Sequence, residues 1–188
     1  MTTKRPTKPP LEIGVLIQAA TWRRAVPDAA RLARRAARAA FAAAVPARIP
    51  PAGAEAAVVL ADDQAVRALN RRWRRQDKPT NVLAFAAADR PGPAPASGAP
   101  LALGDVVVAL ETARGEAKSE GKRLADHLSH LIVHGMLHLL GQDHRTAAQA
   151  ERMERLETRI LAGLGVADPY APRTAARAKP ARRRKPAR

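Results

Sequence analysis

The segment HLSHLIVHGMLHLLGQDH, residues 127–144, constrains this chain more tightly than any other stretch and holds all five of its histidines. At about 100° per residue, His127, His130, His134 and His138 share one face of a helix. Leu128, Ile132, Val133, Met136, Leu139 and Leu140 occupy the rest of its girth, and a helix apolar on most sides is a buried one. The pattern predicts a helix over 123–140 whose imidazole stripe faces a cleft, or else groups that satisfy ring nitrogens. His134 and His138 sit one turn apart, close enough for both to reach one metal ion at about 2.0–2.1 Å. Gly141 ends the helix and lets the chain turn back, which brings in His144. Three neutral nitrogens with an open fourth position fit a catalytic zinc site holding one Zn2+ per chain. His127 and His130 lie outside the triplet. Each is either a core histidine satisfied by its surroundings or a support for the ligands or the substrate. Asp143 is a candidate to fix the tautomer of a ligating imidazole from behind, or a solvated loop aspartate.

The spacing H-x-x-x-H-x-x-G-x-x-H is that of metzincin proteases. Those enzymes place a glutamate general base directly after the first histidine, where this chain has Gly135. The residues therefore point to metal-assisted hydrolysis that does not follow the usual peptidase route. A zinc metallopeptidase-like hydrolase stays open as an alternative.

With 188 residues and no cysteine, the chain is long enough for one core without disulfides. No apolar run approaches the roughly 20 residues that cross a bilayer, and the first twenty residues lack a secretory apolar stretch. A cytoplasmic protein with no membrane partner is the expectation. Alternation of Ile13, Val15 and Ile17 predicts a strand over 11–18, and 54–61, 81–86 and 101–110 read as three more. An Ala-rich helix is expected over 28–44, opened by Asp28 as N-cap. Another runs near Asp63–Arg74 with Val66, Leu69 and Trp73 facing inward, and a third from about 111 to 120. Thr146 and Gln149 form a capping-box pair for the last helix, whose inner face carries Met153, Leu156 and Ile160. The fold expected is α/β (α+β): a single compact domain with a small, mostly four-stranded mixed sheet and about five helices. Its metal site lies at the end of the central histidine-rich helix.

The formal charge is +16, and its placement is uneven. Residues 171–188 hold eight Lys or Arg and no acid, and the first eight residues hold three, so the 22 remaining bases face all 17 acids, a body of +5. The division predicted is a flexible basic N-terminus (1–10), the domain (11–168) and a disordered basic tail (169–188). Such a distribution suits a polyanion, nucleic acid before anionic membrane. Arg31, Arg34, Arg35 and Arg38 line one side of the first long helix, as a solvated face commonly does. In LNRRWRRQDKPTNVLAF (69–85), Arg71, Arg72, Arg74 and Arg75 flank Trp73. Guanidinium groups bind phosphate through two parallel hydrogen bonds, so this segment can bring arginines to a phosphodiester. Trp73 is expected in the core from its spacing to Val66 and Leu69, with stacking on a base as the other reading.

HGMLHLLGQDH (134–144) resembles the H-G-x-L-H-L-x-G-Y-D-H signature of the YbeY family of rRNA-maturation endoribonucleases. LNRRWRRQDKPTNVLAF is similar to that family's L-N-x-x-Y-R-x-x-D-x-P-T-D/N-V-L-S-F, and LGDVVVA (103–109) to its L-G-D-I-x-I strand. The three matches fall in family order. Gln142, Ala84 and Trp73 depart from it, standing where Tyr, Ser and Tyr are usual, and none of them removes a ligand. The resemblance implies that His134, His138 and His144 bind zinc and that Arg74 is the functional arginine of the cleft. It implies single-strand-specific cleavage of RNA in 16S rRNA 3′-end maturation and ribosome quality control. The implied partners are the small ribosomal subunit and its 16S rRNA, ribosomal proteins and an assembly GTPase. Arg71, Arg72 and Arg75 are candidate RNA contacts. The nucleophile stays open between a metal-activated water and the RNA's own 2′-hydroxyl, and a non-catalytic ribosome-assembly factor with a structural metal is a further alternative.

Overall fold

The computed structural model describes residues 9–46, 49–89 and 98–171. Four strands form one sheet: β1 Leu11–Ile17, β2 Ala54–Ala61, β3 Val82–Ala86 and β4 Leu101–Ala109. They lie in the order β1-β2-β4-β3, with β1, β2 and β4 parallel and β3 antiparallel to β4 at the edge. Parallel neighbours need a long crossover, and α1 Thr21–Ala25 with α2 Ala29–Ala44 supplies it between β1 and β2. α3 Asp63–Arg74 joins β2 to β3, and α4 Leu110–Ser119, α5 Leu124–Leu139 and α6 Ala147–Gly163 follow β4. This is the α+β fold with a four-stranded mixed sheet that the hydrophobic pattern predicts.

Strand alternation divides the helices between the two faces of the sheet. Val106 and Val108 of β4 join the main core with α2, α5 and α6, whereas Val107 and Ala109 join a smaller cluster with Val66 of α3. The histidine helix α5 therefore lies on one face and the arginine-bearing helix α3 on the other. α5 is buried along most of its length, as its apolar girth requires. It also comes unusually close to the sheet. A Cβ built on Gly135 would sit 2.6 Å from Val106 Cγ1, so this glycine faces β4 and sets the spacing between helix and strand. Gly135→Ala should lower stability by about 1–3 kcal/mol through overpacking, less up to about 1 kcal/mol of helix preference gained. Gly135→Glu should cost more, because it also buries a carboxylate. Urea denaturation checks both, and an unchanged midpoint for the two variants would show that α5 can simply move away.

Four features differ from the sequence-based expectation. Among the described residues there are six α-helices rather than about five. The extra one, α1, is five residues long, too short to show a period, and is anchored because Trp22 is fully buried and donates from Nε1 to the Ala61 carbonyl at 2.8 Å. Asp28 stands at the N-cap of α2 as expected, but its side chain makes no capping bond and its carboxylate pairs with Arg31 instead. Trp73 is 59% exposed and not in the core, since α3 turns its last residues beyond the edge of the small cluster. Lastly, the segment predicted as disordered from 169 begins with packed residues: Lys122 Nζ donates to the Pro169 carbonyl at 2.9 Å, and the Tyr170 hydroxyl donates to Glu157. The first eight residues and 172–188 lie outside the described residues. No described helix is long and apolar enough to cross a membrane.

Candidate metal centre

α5 delivers the first two ligand candidates from successive turns. The imidazoles of His134 and His138 lie with ring centroids 4.6 Å apart, and their Nε2 atoms face each other at 3.1 Å. The helix then closes with paired hydrogen bonds, Gly141 N to the His138 carbonyl at 2.9 Å and Gln142 N to the Leu137 carbonyl at 2.9 Å. That is a Schellman stop, which needs a left-handed residue after the cap, and Gly141 takes it at φ +85°. The reversal returns His144 to the other two rings, with centroids 4.9 Å from His138 and 5.6 Å from His134. One nitrogen from each of the three lies within 4.8 Å of the others.

The arrangement fits a metal ion on the chemistry of its donors. His138 is held below the ordinary imidazole range by burial and by repulsion from His134 and His144. A neutral ring is the form that ligates. Beside His134 and His144 lies a cavity of about 240 Å3, also lined by Met153 and Glu154, which leaves the cluster open on one side. An open position is what distinguishes a catalytic zinc site from a structural one.

Behind the cluster sits a residue that the sequence reading missed. Glu157 of α6 is 0% exposed and accepts from His134 Nδ1 at 2.8 Å, from His130 Nε2 at 3.0 Å and from the Tyr170 hydroxyl. Burial alone would raise its carboxyl, but the hydrogen bonds from His130, His134 and Tyr170 outweigh it and hold the group at about 2. Burial and the facing Glu157 carboxylate push the Tyr170 phenol well above its usual range, so it stays a donor. With Nδ1 of His134 committed to Glu157, Nε2 is the atom left for a metal, and a carboxylate behind a ligating imidazole is the usual way that tautomer is fixed. The signal was present in sequence. Glu157 stands on the inner stripe of α6 between Met153 and Ile160, where an acid needs buried partners.

The other candidates are distributed as follows. Asp143 touches no imidazole nitrogen; it accepts from the His144 backbone N–H at 2.7 Å and pairs with Arg145 at 2.6 Å, so it shapes the return loop. His130 lies next to the cluster through Glu157, with Tyr170 edge-on to its ring at 5.7 Å. His127 is buried and bonded to Glu116 at 2.8 Å, away from the triplet. Arg71, Arg72, Arg74 and Arg75 are all exposed at the end of α3, on the opposite face of the sheet from α5. Asn70 is buried there and holds the turn that follows, donating to the Lys78 carbonyl at 2.8 Å.

A family model described as Endoribonuclease YbeY matches residues 17–165. Over 161 residues the chain is 52% identical to the Endoribonuclease YbeY of Paramagnetospirillum magneticum, covering 85% of this chain and 96% of the relative. It is likewise 52% identical over 161 residues to that of Azorhizobium caulinodans, covering 86% and 97%. With the Rhodospirillum rubrum protein of the same name it shares 48% over 169 residues, covering 88% and 84%. The matched residues take in β2 to β4, the arginine segment and the three clustered histidines, and by these matches the chain belongs to the YbeY endoribonuclease family.

Proposed function

We propose that this chain is a zinc-dependent, single-strand-specific endoribonuclease that works in the cytoplasm on the 3′ end of 16S rRNA and in ribosome quality control. The observation that carries the reading is the three-imidazole cluster, open on one side, in a chain that matches the endoribonuclease family across the domain. His134, His138 and His144 would hold the metal. When bound, zinc supplies a Lewis acid for a phosphoryl oxygen. Glu157 occupies His134 Nδ1 and so leaves Nε2 as the nitrogen that would ligate, and the apolar packing of α5 against the sheet holds both helix histidines in place. Arg74 is assigned the stabilisation of negative charge added at phosphorus, a task its planar fork suits. Its position in the segment matched to the family, at the end of α3 before the turn into edge strand β3, is what favours it over the other arginines. RNA of the small ribosomal subunit is the partner proposed, with ribosomal proteins and an assembly GTPase around it.

Two measurements test this. The metal-loaded protein is incubated with single-stranded RNA, duplex RNA and casein; cleavage of the first alone is expected, and cleavage of casein alone would move the protein to the peptidases. Arg74→Ala should keep fold and metal but lose most RNA cleavage, with Arg74→Lys recovering only part of the rate. If Arg74→Ala cleaves like wild type while Arg72→Ala does not, the charge-stabilising arginine is Arg72.

A further inference from the structure

The exposed end of α3 has a composition that the metal centre does not explain. Trp73 projects with 59% of its surface in solvent. Phe85 of β3 braces it edge-on, with centroids 6.3 Å apart and planes at 62°. The Arg72 guanidinium lies over the ring, 5.2 Å from its centroid. Arg71, Arg74 and Arg75 are its exposed neighbours in sequence, and Asp77, the one acid in residues 69–85, is engaged by Arg67 through a two-bond fork at 2.8 Å each. A rigid aromatic face among unneutralised guanidiniums is how proteins hold single-stranded nucleic acid: bases stack, phosphates pair. A wholly structural tryptophan would be buried, as Trp22 is.

Strand β3 connects the two faces: Phe85 meets Trp73 on one, and α5 packs on the other. The start of α5 lies beside the beginning of β3, because His127 bonds Glu116, and Glu116 accepts from Asn81, the residue before Val82. Further along, Gly135 sits against Val106, whose partner across the sheet is Ala84. His138 follows less than one helical turn after Gly135 on the same helix. Phe85 supports Trp73 on the opposite face of the same strand, and β3 is the edge of the sheet. A strand of RNA crossing that edge meets the platform on one side and the imidazoles on the other.

We infer that Trp73, with Arg71, Arg72 and Arg75, forms a base-stacking site for single-stranded RNA that feeds the metal centre across the edge of β3. This rests on the endoribonuclease reading. An entering base replaces the contact between Arg72 and the ring and frees that guanidinium for a phosphate. Duplex RNA, whose bases are stacked on each other, has nothing to offer Trp73, so the site selects for single strands.

The test titrates the full, metal-loaded chain with a single-stranded oligodeoxyribonucleotide, which lacks the 2′-hydroxyl, and with a duplex of equal length, following tryptophan emission. Trp22 is fully buried, so quenching reports Trp73. Quenching by the single strand and none by the duplex is expected. Trp73→Leu, which keeps apolar contact with Phe85 but has no ring, should weaken single-strand binding about 5- to 150-fold. It should leave melting temperature and metal content unchanged, and Trp73→Tyr should restore most of the affinity. Arg72→Gln should flatten the salt dependence by about 0.7 in log–log slope. Equal binding by Trp73→Leu and wild type, or equal losses for single strand and duplex, overturns the platform while an RNA-cleaving wild type leaves the endoribonuclease reading intact. A wild type that neither binds nor cleaves RNA overturns both.

Discussion

Alanine at His134, His138 or His144 is expected to strip the chain of its metal and, with it, of RNA cleavage. Each substitution removes one of three nitrogens that lie within 4.8 Å of one another, and two imidazoles one turn apart hold zinc far more weakly than three. Metal content after gel filtration should fall from about one zinc per chain to a small fraction in each variant. His127→Ala, which alters a histidine bonded to Glu116 instead, should keep it. Protons compete for the same nitrogens, so retention in wild type should decline at acid pH, on the low side of the ordinary imidazole range to which burial and repulsion hold His138. Full zinc content in all three alanine variants would overturn the site.

The second large effect is expected at Glu157. Its carboxylate is fully buried and takes three donors, one of them Nδ1 of the candidate ligand His134. Glu157→Ala leaves those donors facing an empty space, and removing one partner of a buried, paired charge costs about 3–5 kcal/mol. Partial unfolding is therefore expected for that variant. Glu157→Gln keeps the volume and is the more informative change, because its amide presents a donor where the ring N–H groups need acceptors. Such a change behind a ligating histidine lowers metal affinity about 10- to 100-fold. Competition with a chelator measures it, and a cobalt-substituted form reports the altered ligand field. A folded Glu157→Gln with wild-type affinity would show that the return loop alone positions the imidazoles. Tyr170→Phe, which removes one of the three donors, should shift affinity in the same direction by less.

The sequence alone determined the parts governed by local periodicity and capping. The apolar girth of 127–140 required a buried helix. The four-residue step between His134 and His138, with Gly141 beyond, required their nitrogens to meet near a returning loop. Thr146 and Gln149 predicted the start of α6, and both bonds of the capping box are present. The strands expected over 54–61 and 101–110 are present as Ala54–Ala61 and Leu101–Ala109. Only the tertiary structure decided which side chains from distant segments share a space. The partner of His134 is Glu157, twenty-three residues away on another helix, where the sequence offered only Asp143, with a solvated loop aspartate as an equal reading. Trp73 follows the same helical spacing as Val66 and Leu69 and yet lies in solvent, because the small cluster under α3 ends before the helix does. Tyr170 stands in a segment with the composition of a tail and is held by one buried acceptor. Periodicity states which face of an element is turned inward; where the packed layer ends, and what meets that face, depends on elements that periodicity does not connect.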